Sequence, residues 1–169
     1  AVTNAAGNVV ERYDYDPFGR PTIYNAQDAT LTLAGEAVTA DPTSAYIGIN
    51  NDIKNNNLYV ILDNDIIGVF ALVFGEDESY DKIYDGEWVN NTLPYATIHR
   101  IASDGTYKGI LSIATEYALT KINNIRIDTH EINIPMIKAI QKNGYKKCGT
   151  IYLKKDGSPR YVYQLLKEE

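Results

Sequence analysis

The stretch SDGTYKGILSIATEYA, residues 103–118, places two glycines and a lysine directly before an amphipathic run. From Ile110 onward, apolar residues recur at spacings of three and four, which predicts a helix. The first amides of a helix have no acceptor within the helix, and the helix dipole makes that end partly positive. Because Gly109 lets a ligand approach the backbone closely, the loop suits an anion such as a phosphate. The alternative is an ordinary turn, with Lys108 solvated.

His99 and Tyr95 are the side chains best suited to proton transfer. In the predicted strand 94–103, Tyr95, Thr97 and His99 alternate onto one face. A histidine ordinarily titrates near neutrality and can act as a general base. Tyr95 is a second candidate, as a base through water or as a substrate contact. The alternative for His99 is a structural histidine at the edge of a strand, and His130 is expected to be structural.

The segment 75–94, GEDESYDKIYDGEWVNNTLP, is acidic, aromatic and irregular. Its carboxylates could attract a cationic amine. The alternative is a solvated loop that Tyr84 and Trp88 anchor. No zinc-ligand spacing, Ser-His-Asp arrangement or pair of catalytic carboxylates is present, so no metal site is predicted. The fingerprints of a P-loop and of a Rossmann fold are also absent.

These residues need strands and helices to position them. Two β-rich runs predict a hairpin over 58–75, and further strands are predicted at 94–103 and 124–130. Asn133 is the predicted N-cap of a second helix, which Gly144 ends. A closing hairpin follows. This order predicts an α/β (α+β) fold, with a mixed, mostly antiparallel central sheet flanked by helices.

The composition excludes several classes of protein. The 169 residues are 44% hydrophobic and 22% charged, which is ordinary for a globular protein. The net charge of −6 argues against a nucleic-acid partner, which would require a basic surface. No apolar run approaches the roughly 20 residues of a membrane span, and no signal peptide is recognisable, so we expect a cytoplasmic protein without a membrane partner. Cys148 is the only cysteine, which excludes an internal disulfide.

Residues 1–45 differ in composition from the rest of the chain. They contain no lysine and carry two Arg against six Asp and Glu, a net charge of −4. Chance in a short sample is the alternative to a separate origin. Residues 9–15 and 20–26 predict two strands around a turn at 16–19, and hence an N-terminal β-hairpin appendage. Because the chain begins with Ala1, we expect a processed or partial chain.

The run YDYDPFGR, residues 13–20, closely resembles one unit of an Rhs/YD repeat, and the match covers about residues 1–26. In that family many units coil into a large β-shell, often with an effector at the C-terminal end. One unit cannot bury its own face. The resemblance therefore implies a remnant of a larger Rhs-type parent chain, or a graft. Residues 27–45 are expected to form a short strand and a linker.

The rest of the chain, about residues 46–169, resembles a GNAT-family N-acetyltransferase. The resemblance lies in the ordered set of a hairpin, IHRIAS, GTYKGILSIATEYA and IRIDTHEINIPMIKAIQKNGYKKCG. It implies acetyl-coenzyme A (acetyl-CoA) as the cofactor and an amine acceptor as the partner. In that family the glycine loop holds the pyrophosphate through backbone amides. Gly109 matches the central glycine of the family pattern, whereas Thr106 and Leu111 depart from its outer positions.

The same resemblance implies roles for individual residues. His99 and Tyr95 are the candidate catalytic residues. The main chain of Ile101 and Ser103 would pair with the pantetheine arm. The implied cofactor-binding residues are Ile101, Ser103, Tyr107, Lys108, Gly109, Ile110, Leu111, Ser112 and Asn133. Where many members carry the tyrosine that protonates the departing thiolate, this chain has Ile140.

Three functions stay open at this point. The first is a bacterial acetyltransferase for an amine of a small molecule, a peptide or a protein. The second is an acyl-CoA binding module without turnover, which Ile140 and the absence of the family's usual N-terminal helices favour. The third is the secreted acetyltransferase effector of an Rhs-type protein. A homodimer is compatible with each of them.

Overall fold

A computed structural model of the chain describes residues 2–3, 9–15, 21–25, 30–31, 49–63, 65–154 and 156–168, and for the strands before residue 49 it describes the backbone. The chain divides into two compact units, Ala1–Asn56 and Asn57–Glu169. The assignment of residues 1–45 to a separate segment by composition stays a prediction.

The first unit contains a four-stranded antiparallel sheet in the order β1-β2-β3-β4. Its strands are Val2–Thr3 (β1), Val9–Tyr15 (β2), Pro21–Asn25 (β3) and Thr30–Leu31 (β4). β2 and β3 form the predicted hairpin, with Tyr15 opposite Pro21. The predicted turn at 16–19 lies outside the described residues, and the relation to an Rhs/YD unit stays a prediction. A helix, α1, occupies 49–54.

The second unit is built on a six-stranded sheet in the order β5-β6-β7-β8-β10-β9. Its strands are Leu58–Asp63 (β5), Asp65–Phe74 (β6), Ala96–Ser103 (β7), Asn124–Thr129 (β8), Lys146–Tyr152 (β9) and Pro159–Leu166 (β10). Only the pairing of β7 with β8 is parallel, and the helix α2, Ile110–Leu119, makes the crossover that a parallel pair requires. The predicted mixed, mostly antiparallel sheet is confirmed.

The second helix of this unit, α3, spans Ile134–Lys142. The Asn133 side chain accepts a hydrogen bond from the Met136 amide at 3.3 Å, so Asn133 is the N-cap that the sequence predicts. Gly144 follows the helix with φ of +82°, in the left-handed region that favours glycine.

One face of the sheet packs against α2 and α3. Ala114 and Ala118 of α2 are fully buried and allow the helix to approach the strands closely. Ile113 and Tyr117 belong to the same apolar spacing of three and four residues, but their side chains are 39% and 36% exposed. Tyr117 lies at the margin of the packed face, where its ring centroid is 5.0 Å from that of Tyr59. Some apolar residues of α2 therefore lie outside the surface that the helix buries against the sheet.

The segment 75–94 covers the opposite face of the sheet. It contains a single 3₁₀ turn, Glu78–Tyr80, and it buries Tyr80 and Trp88 against Cys148, Ile151 and Val162. Tyr84 and Thr150 exchange backbone hydrogen bonds of 2.8 Å in both directions, which fixes the middle of the segment to β9. Trp88 is thus the predicted anchor, whereas the Tyr84 side chain is exposed.

Buried amide side chains hold the end of this segment. Gln164 of β10 is fully buried, accepts from the Asn90 amide at 3.1 Å and donates to the Asn90 carbonyl at 2.7 Å. It also donates to the Asn124 side chain at 2.6 Å, and Asn124 in turn donates to the Leu93 carbonyl at 3.2 Å. Because buried polar groups need partners, these bonds fix segment 75–94 to β8 and β10.

Replacing Gly86 by Ala tests the backbone contact of this segment. A Cβ atom at Gly86 would lie 1.9 Å from the Cys148 carbonyl oxygen, so the segment or β9 must shift. We expect the free energy of unfolding to fall by about 1–3 kcal/mol, the usual cost of overpacking. Urea unfolding measures it, with Glu87→Ala at the exposed neighbouring position as the control. Equal midpoints for the two variants would contradict the close approach.

Candidate functional site

The parallel strands β7 and β8 pair over only three residues of each. The pairs are Ala96 with Ile125, Thr97 with Arg126, and Ile98 with Ile127. Beyond Ile98 the two strands separate, and in the described residues no strand pairs with β7 on that side over 99–103. A strand edge of this kind presents free backbone donors and acceptors.

A β-bulge lies where the strands separate. In the pairing of β6 with β7, Val69 faces Ala102 and Ala71 faces His99, so β7 carries one residue more than β6 between these pairs. Arg100, within the bulge, has φ of +48° although it is not a glycine. A bulge bends its strand and locally increases the twist. The bulge thus accompanies the divergence of β7 from β8.

The loop after β7 is ordered by its own hydrogen bonds. The Asp104 carboxylate accepts from the Thr106 amide at 2.9 Å and from the Thr106 hydroxyl at 2.6 Å. These bonds, led by that of the hydroxyl, hold the pKa of Asp104 below its ordinary value. The Ser103 hydroxyl donates to the Tyr107 carbonyl at 3.2 Å and accepts from the Gly105 amide at 3.1 Å. The Tyr107 hydroxyl donates to Asp63 on β5.

The N-terminus of α2 has free amides. Gly109 is its N-cap residue, with φ of +89°, and a Cβ atom there would meet only the Ser112 hydroxyl, at 3.9 Å. The Ser112 amide donates to the Gly109 carbonyl at 2.9 Å. Among the described residues, no group accepts from the amides of 108–111. The backbone here is therefore open, and it carries the donors that an anion requires.

The structure places the predicted cofactor residues in two regions. Ile101 and Ser103 lie on the unpaired edge of β7, and residues 107–112 form the loop and the first turn of α2. Asn133 lies apart from both in sequence, as the N-cap of α3. The roles of these residues in binding stay predictions.

His99 lies between two carboxylates, at the point where β7 and β8 begin to separate. Its Nε2 is 3.5 Å from Asp77 Oδ2, and its Nδ1 is 3.7 Å from Asp128 Oδ1. Asp77 comes from segment 75–94 and Asp128 from β8, so elements that are distant in sequence fix the imidazole from both sides. The contact with His99 is the main cause that lowers the pKa of Asp77.

Tyr80 and Tyr95 complete this cluster. The buried Tyr80 hydroxyl donates to Asp128 at 2.6 Å, and burial together with the Asp128 charge raises the pKa of Tyr80 well above its usual value. Tyr80 therefore acts as a hydrogen-bond donor and not as a base. The Tyr95 hydroxyl accepts from the Asp77 amide at 3.1 Å, and its ring stacks on that of Tyr80. Tyr95 thus supports the position of Asp77, and its role in catalysis stays a prediction.

A pocket of 580 Å³ opens beside the cluster. It is lined by Phe74, Gly75, Glu76, Tyr80, Asp81, Asn91, Thr92, Leu93, Pro94, Tyr95, Ile122 and Arg126. Most of these residues belong to the acidic segment 75–94 or follow it directly. That segment therefore acts both as a wall of the pocket and as a cover of the core.

Sequence reasoning missed three members of this site, Tyr80, Arg126 and Asp128, and it gave Asp77 only as one of the carboxylates of segment 75–94 that could attract a cationic amine. A signal for two of them was present, since Arg126 and Asp128 alternate with isoleucines in the predicted strand NIRIDTH. Asp77 and Tyr80 lie in an irregular segment, where no periodicity indicates which side chains face inward. His130 has the expected structural position, because its Nδ1 accepts from the Ile132 amide at 3.3 Å.

In the described residues, no group of three or more His, Cys, Asp or Glu side chains is placed to hold a metal ion. None of the helices in the described part of the chain combines the length and the apolar character that a membrane crossing requires.

Replacing Asp77 by Asn tests the contact with His99. Asn keeps an oxygen for the Ser79 amide, which Asp77 accepts at 2.8 Å, but loses the charge. Folding lowers the pKa of Asp77, so the ionised carboxylate stabilises the fold. This stabilisation is complete at pH values above the pKa of about 3.9 that an aspartate has in the unfolded chain. This stabilisation is lost as the pH falls through the lower native pKa. We expect Asp77→Asn to be less stable than the wild type at neutral pH and the difference to shrink in acid.

Urea unfolding over a series of pH values measures this difference, with Asp81→Asn at an exposed position as the control. A difference between Asp77→Asn and the wild type that stays constant down to the lowest pH would show that the Asp77 charge is not involved.

Solved structures of acetyltransferases share this fold. An acetyltransferase of the GNAT family from Streptococcus agalactiae 2603 is 34% identical, with a TM-score of 0.66 over 78% of this chain and 77% of that chain. A second, from Bacillus cereus ATCC 10987, is 20% identical, with a TM-score of 0.51 over 73% of this chain and 79% of that chain. The NatC complex bound to Gag peptide and CoA is 15% identical, with a TM-score of 0.52 over 76% of this chain and 83% of that chain. The second and third show the fold alone.

No protein-family model and no curated protein matches the sequence. The identity of 34% with the streptococcal acetyltransferase nevertheless extends over about three quarters of both chains. Together with the mixed sheet and the separated strands β7 and β8, it shows that this chain belongs to the GNAT family of acetyltransferases.

Proposed function

We propose that this protein is an N-acetyltransferase that uses acetyl-CoA to acetylate an amine of a small molecule, a peptide or a protein. The observation that carries the proposal is the gap between β7 and β8. His99 lies where this gap begins, and the amides of 108–111, which have no acceptor among the described residues, follow it in the chain. Membership of the GNAT family supports acetyl transfer as the reaction.

The N-terminus of α2 fits the pyrophosphate of CoA. The amides of 108–111 have no acceptor among the described residues, and the helix dipole favours an anion there. Two of the six amides predicted from the sequence are less suited. Ser112 donates to Gly109, and a backbone contact from Tyr107 helps to lower the pKa of Asp104. The proposal therefore uses the four amides of 108–111, with the Lys108 ammonium to offset the Asp104 charge.

The free edge of β7 fits the pantetheine arm. An extended chain with amide groups can pair with an unpaired strand edge in the way that an added strand does. Ile101 and Ser103 lie on this edge, between His99 and the loop 104–109 that leads into α2. The NatC structure, which shares this fold, contains CoA.

When bound, acetyl-CoA supplies a thioester whose carbonyl carbon takes the amine nitrogen as the C–S bond breaks. Only a neutral amine is nucleophilic, so the chain must remove a proton. In the proposal, the neutral ring of His99, with its proton on Nδ1 facing Asp128, takes this proton at Nε2, directly or through one water molecule, and Asp77 then stabilises the imidazolium that forms. Asp128 orients the ring from the Nδ1 side and is itself held by Tyr80. Asp77 at the mouth of the site favours the approach of a cationic amine.

The leaving sulfur also needs a proton. Ile140 occupies the place of the tyrosine that donates it in many members of the family, and its side chain is fully buried and has no proton to give. In the proposal, the proton comes from water. Turnover without a tyrosine at this position distinguishes the enzyme from the alternative of an acyl-CoA binding module. A bacterial origin, a cytoplasmic location, a homodimer and an Rhs-type parent chain stay predictions.

Replacing Gly109 by Glu tests the phosphate site. The carboxylate would enter the anion site, and the positive φ would strain the residue by about 1–2 kcal/mol. We expect CoA affinity in the micromolar range for the wild type, weakened at least about tenfold by Gly109→Glu, or about 1.4 kcal/mol. Calorimetric titration with CoA measures it.

The matched control is Gly157→Glu, because Gly157 also has a positive φ, of +71°, and open space around its Cβ position. It lies in the turn between β9 and β10, where a strained glutamate should leave CoA affinity unchanged. If both variants bind CoA like the wild type, the phosphate does not lie at α2.

Replacing His99 by Gln tests the general base. Gln keeps the polarity and approximate length of the side chain but cannot take a proton at neutral pH. We expect kcat to fall by about 10²- to 10⁴-fold, the usual contribution of a general base, with little change in CoA affinity. Release of free thiol, measured with a panel of amines, gives the rate.

His130→Gln is the control for this variant, since His130 is the other histidine of the chain. An unchanged kcat in His99→Gln would remove His99 from the mechanism. CoA binding without turnover of any amine in the wild type would favour the binding module.

A further inference from the structure

Arg126 is the one cationic side chain among the described residues that line the pocket of 580 Å³. It lies on β8 and is only 2% exposed. A charge that is removed from water in this way is costly unless it is paired. The surroundings of this guanidinium therefore indicate what the pocket accepts.

Aromatic rings cover both faces of the guanidinium. Its central carbon lies 3.9 Å from the ring centroid of Trp88 and 3.8 Å from that of Tyr95. Cation–π contacts of this kind stabilise the charge in part and fix the plane of the group. Only the edges of the guanidinium are left for hydrogen bonds.

The edges are incompletely paired. Nη2 donates to the Asn90 carbonyl at 3.2 Å and to the Asn91 side chain at 3.0 Å, and both acceptors are neutral. The buried Nε–H has no acceptor in the described part of the chain, and no described carboxylate lies within ion-pair distance of Arg126. A planar guanidinium that is fixed on both faces and lacks an anionic partner is suited to bind a carboxylate.

Arg126 and His99 share one face of the sheet. Arg126 is paired with Thr97, and His99 lies two residues further along β7. With strands about 4.8 Å apart and a rise of about 3.3 Å per residue, their Cα atoms are about 8 Å apart. Tyr95 and Tyr80 lie between the two side chains and line the pocket. His99 does not itself line this pocket, but its ring contacts that of Tyr80 at 6.2 Å between centroids, so a molecule bound at Arg126 would reach His99 past the Tyr80 and Tyr95 side of the pocket.

The rim of the pocket carries the opposite charge. Glu76 and Asp81 line it and are exposed, and Asp77 contacts His99. Carboxylates at the rim attract an ammonium group and repel a molecule whose net charge is negative. The combination of an acidic rim with a buried cation suits a zwitterion.

We infer that Arg126 binds a carboxylate of the acceptor, and hence that the acceptor is an amino acid whose carboxylate lies a few bonds from the reactive amine. This inference rests on the proposed function, because it places the reactive amine at His99. It narrows the acceptor from amines in general to amines that carry a carboxylate.

The first test compares each amino acid in a panel with its amide and with the amine that lacks the carboxyl group. We expect kcat/KM of the wild type to be at least about tenfold higher for the acid form, the usual value of a hydrogen bond to a charged group. Arg126→Gln should abolish this ratio. Equal kcat/KM for the acid and its amide in the wild type would overturn the inference.

Because Arg126 is buried, a second pair of variants avoids the core. Leu93 lines the same pocket and is 49% exposed. Leu93→Glu adds a negative charge near the carboxylate site, and Leu93→Gln adds a side chain of the same shape without the charge. The ratio of acid to amide should fall about tenfold in Leu93→Glu and keep its wild-type value in Leu93→Gln. The same ratio in both variants would count against a carboxylate in this pocket.

A binding measurement separates this inference from the proposed function. Trp88 is the only tryptophan of the chain and stacks on Arg126, so its fluorescence reports on ligands at the guanidinium. Amino acids should change the Trp88 emission with saturation, and the corresponding amides and carboxyl-free amines should not. This result without acetyl transfer would leave Arg126 as a carboxylate site and reject the enzyme. Acetyl transfer without any fluorescence response to the carboxylate would support the enzyme and reject Arg126 as a carboxylate site.

Discussion

The separation of β7 from β8 beyond the Ile98–Ile127 pair is the constraint on which the rest of the site depends. Where two strands separate, the backbone groups on their facing edges lose their partners and must be satisfied in another way. The extra residue at Arg100 bends β7 at this point. Because the gap begins where His99 and Asp128 face each other, the proposed base and the proposed cofactor site meet at the same point of the sheet. A continuous sheet would have neither the gap nor the accessible imidazole.

The opposite face of the sheet shows how a polar surface can be buried without a helix to cover it. Segment 75–94 has almost no regular structure, yet it holds Tyr80 and Trp88 in the core through backbone and amide hydrogen bonds. Trp88 of this segment and Tyr95 directly after it enclose the Arg126 guanidinium, whose charge an apolar cover would leave without compensation. Burial lowers the pKa of Arg126, as expected for a charge that is taken out of water. Segment 75–94 and the Arg126 guanidinium therefore stabilise each other.

Local sequence patterns predicted the six strands of the main sheet, the helices α2 and α3 and the Asn133 cap, because these features depend on periodicity and on single residues at helix ends. They also located His99 and the loop around Gly109. They did not indicate Tyr80 or the contact of Asp77 with His99, since the position of a side chain in an irregular segment depends on what that segment packs against. The bulge at Arg100 was missed for a related reason: neither glycine nor proline marks it, and only the pairing with β6 reveals the extra residue.

The strand order places β10 between β8 and β9, although β10 comes last of the six in the chain. Asn90 is held by Gln164, which lies 74 residues further along, so the pocket wall cannot be fixed while the ribosome is still making β10. Contacts between residues so far apart in sequence close large loops and form late in folding. A nascent chain that has already formed β7, α2 and β8 would thus expose Trp88 and the Arg126 charge. The wall of this pocket is therefore the part of the protein that we expect to depend most on chaperones during synthesis.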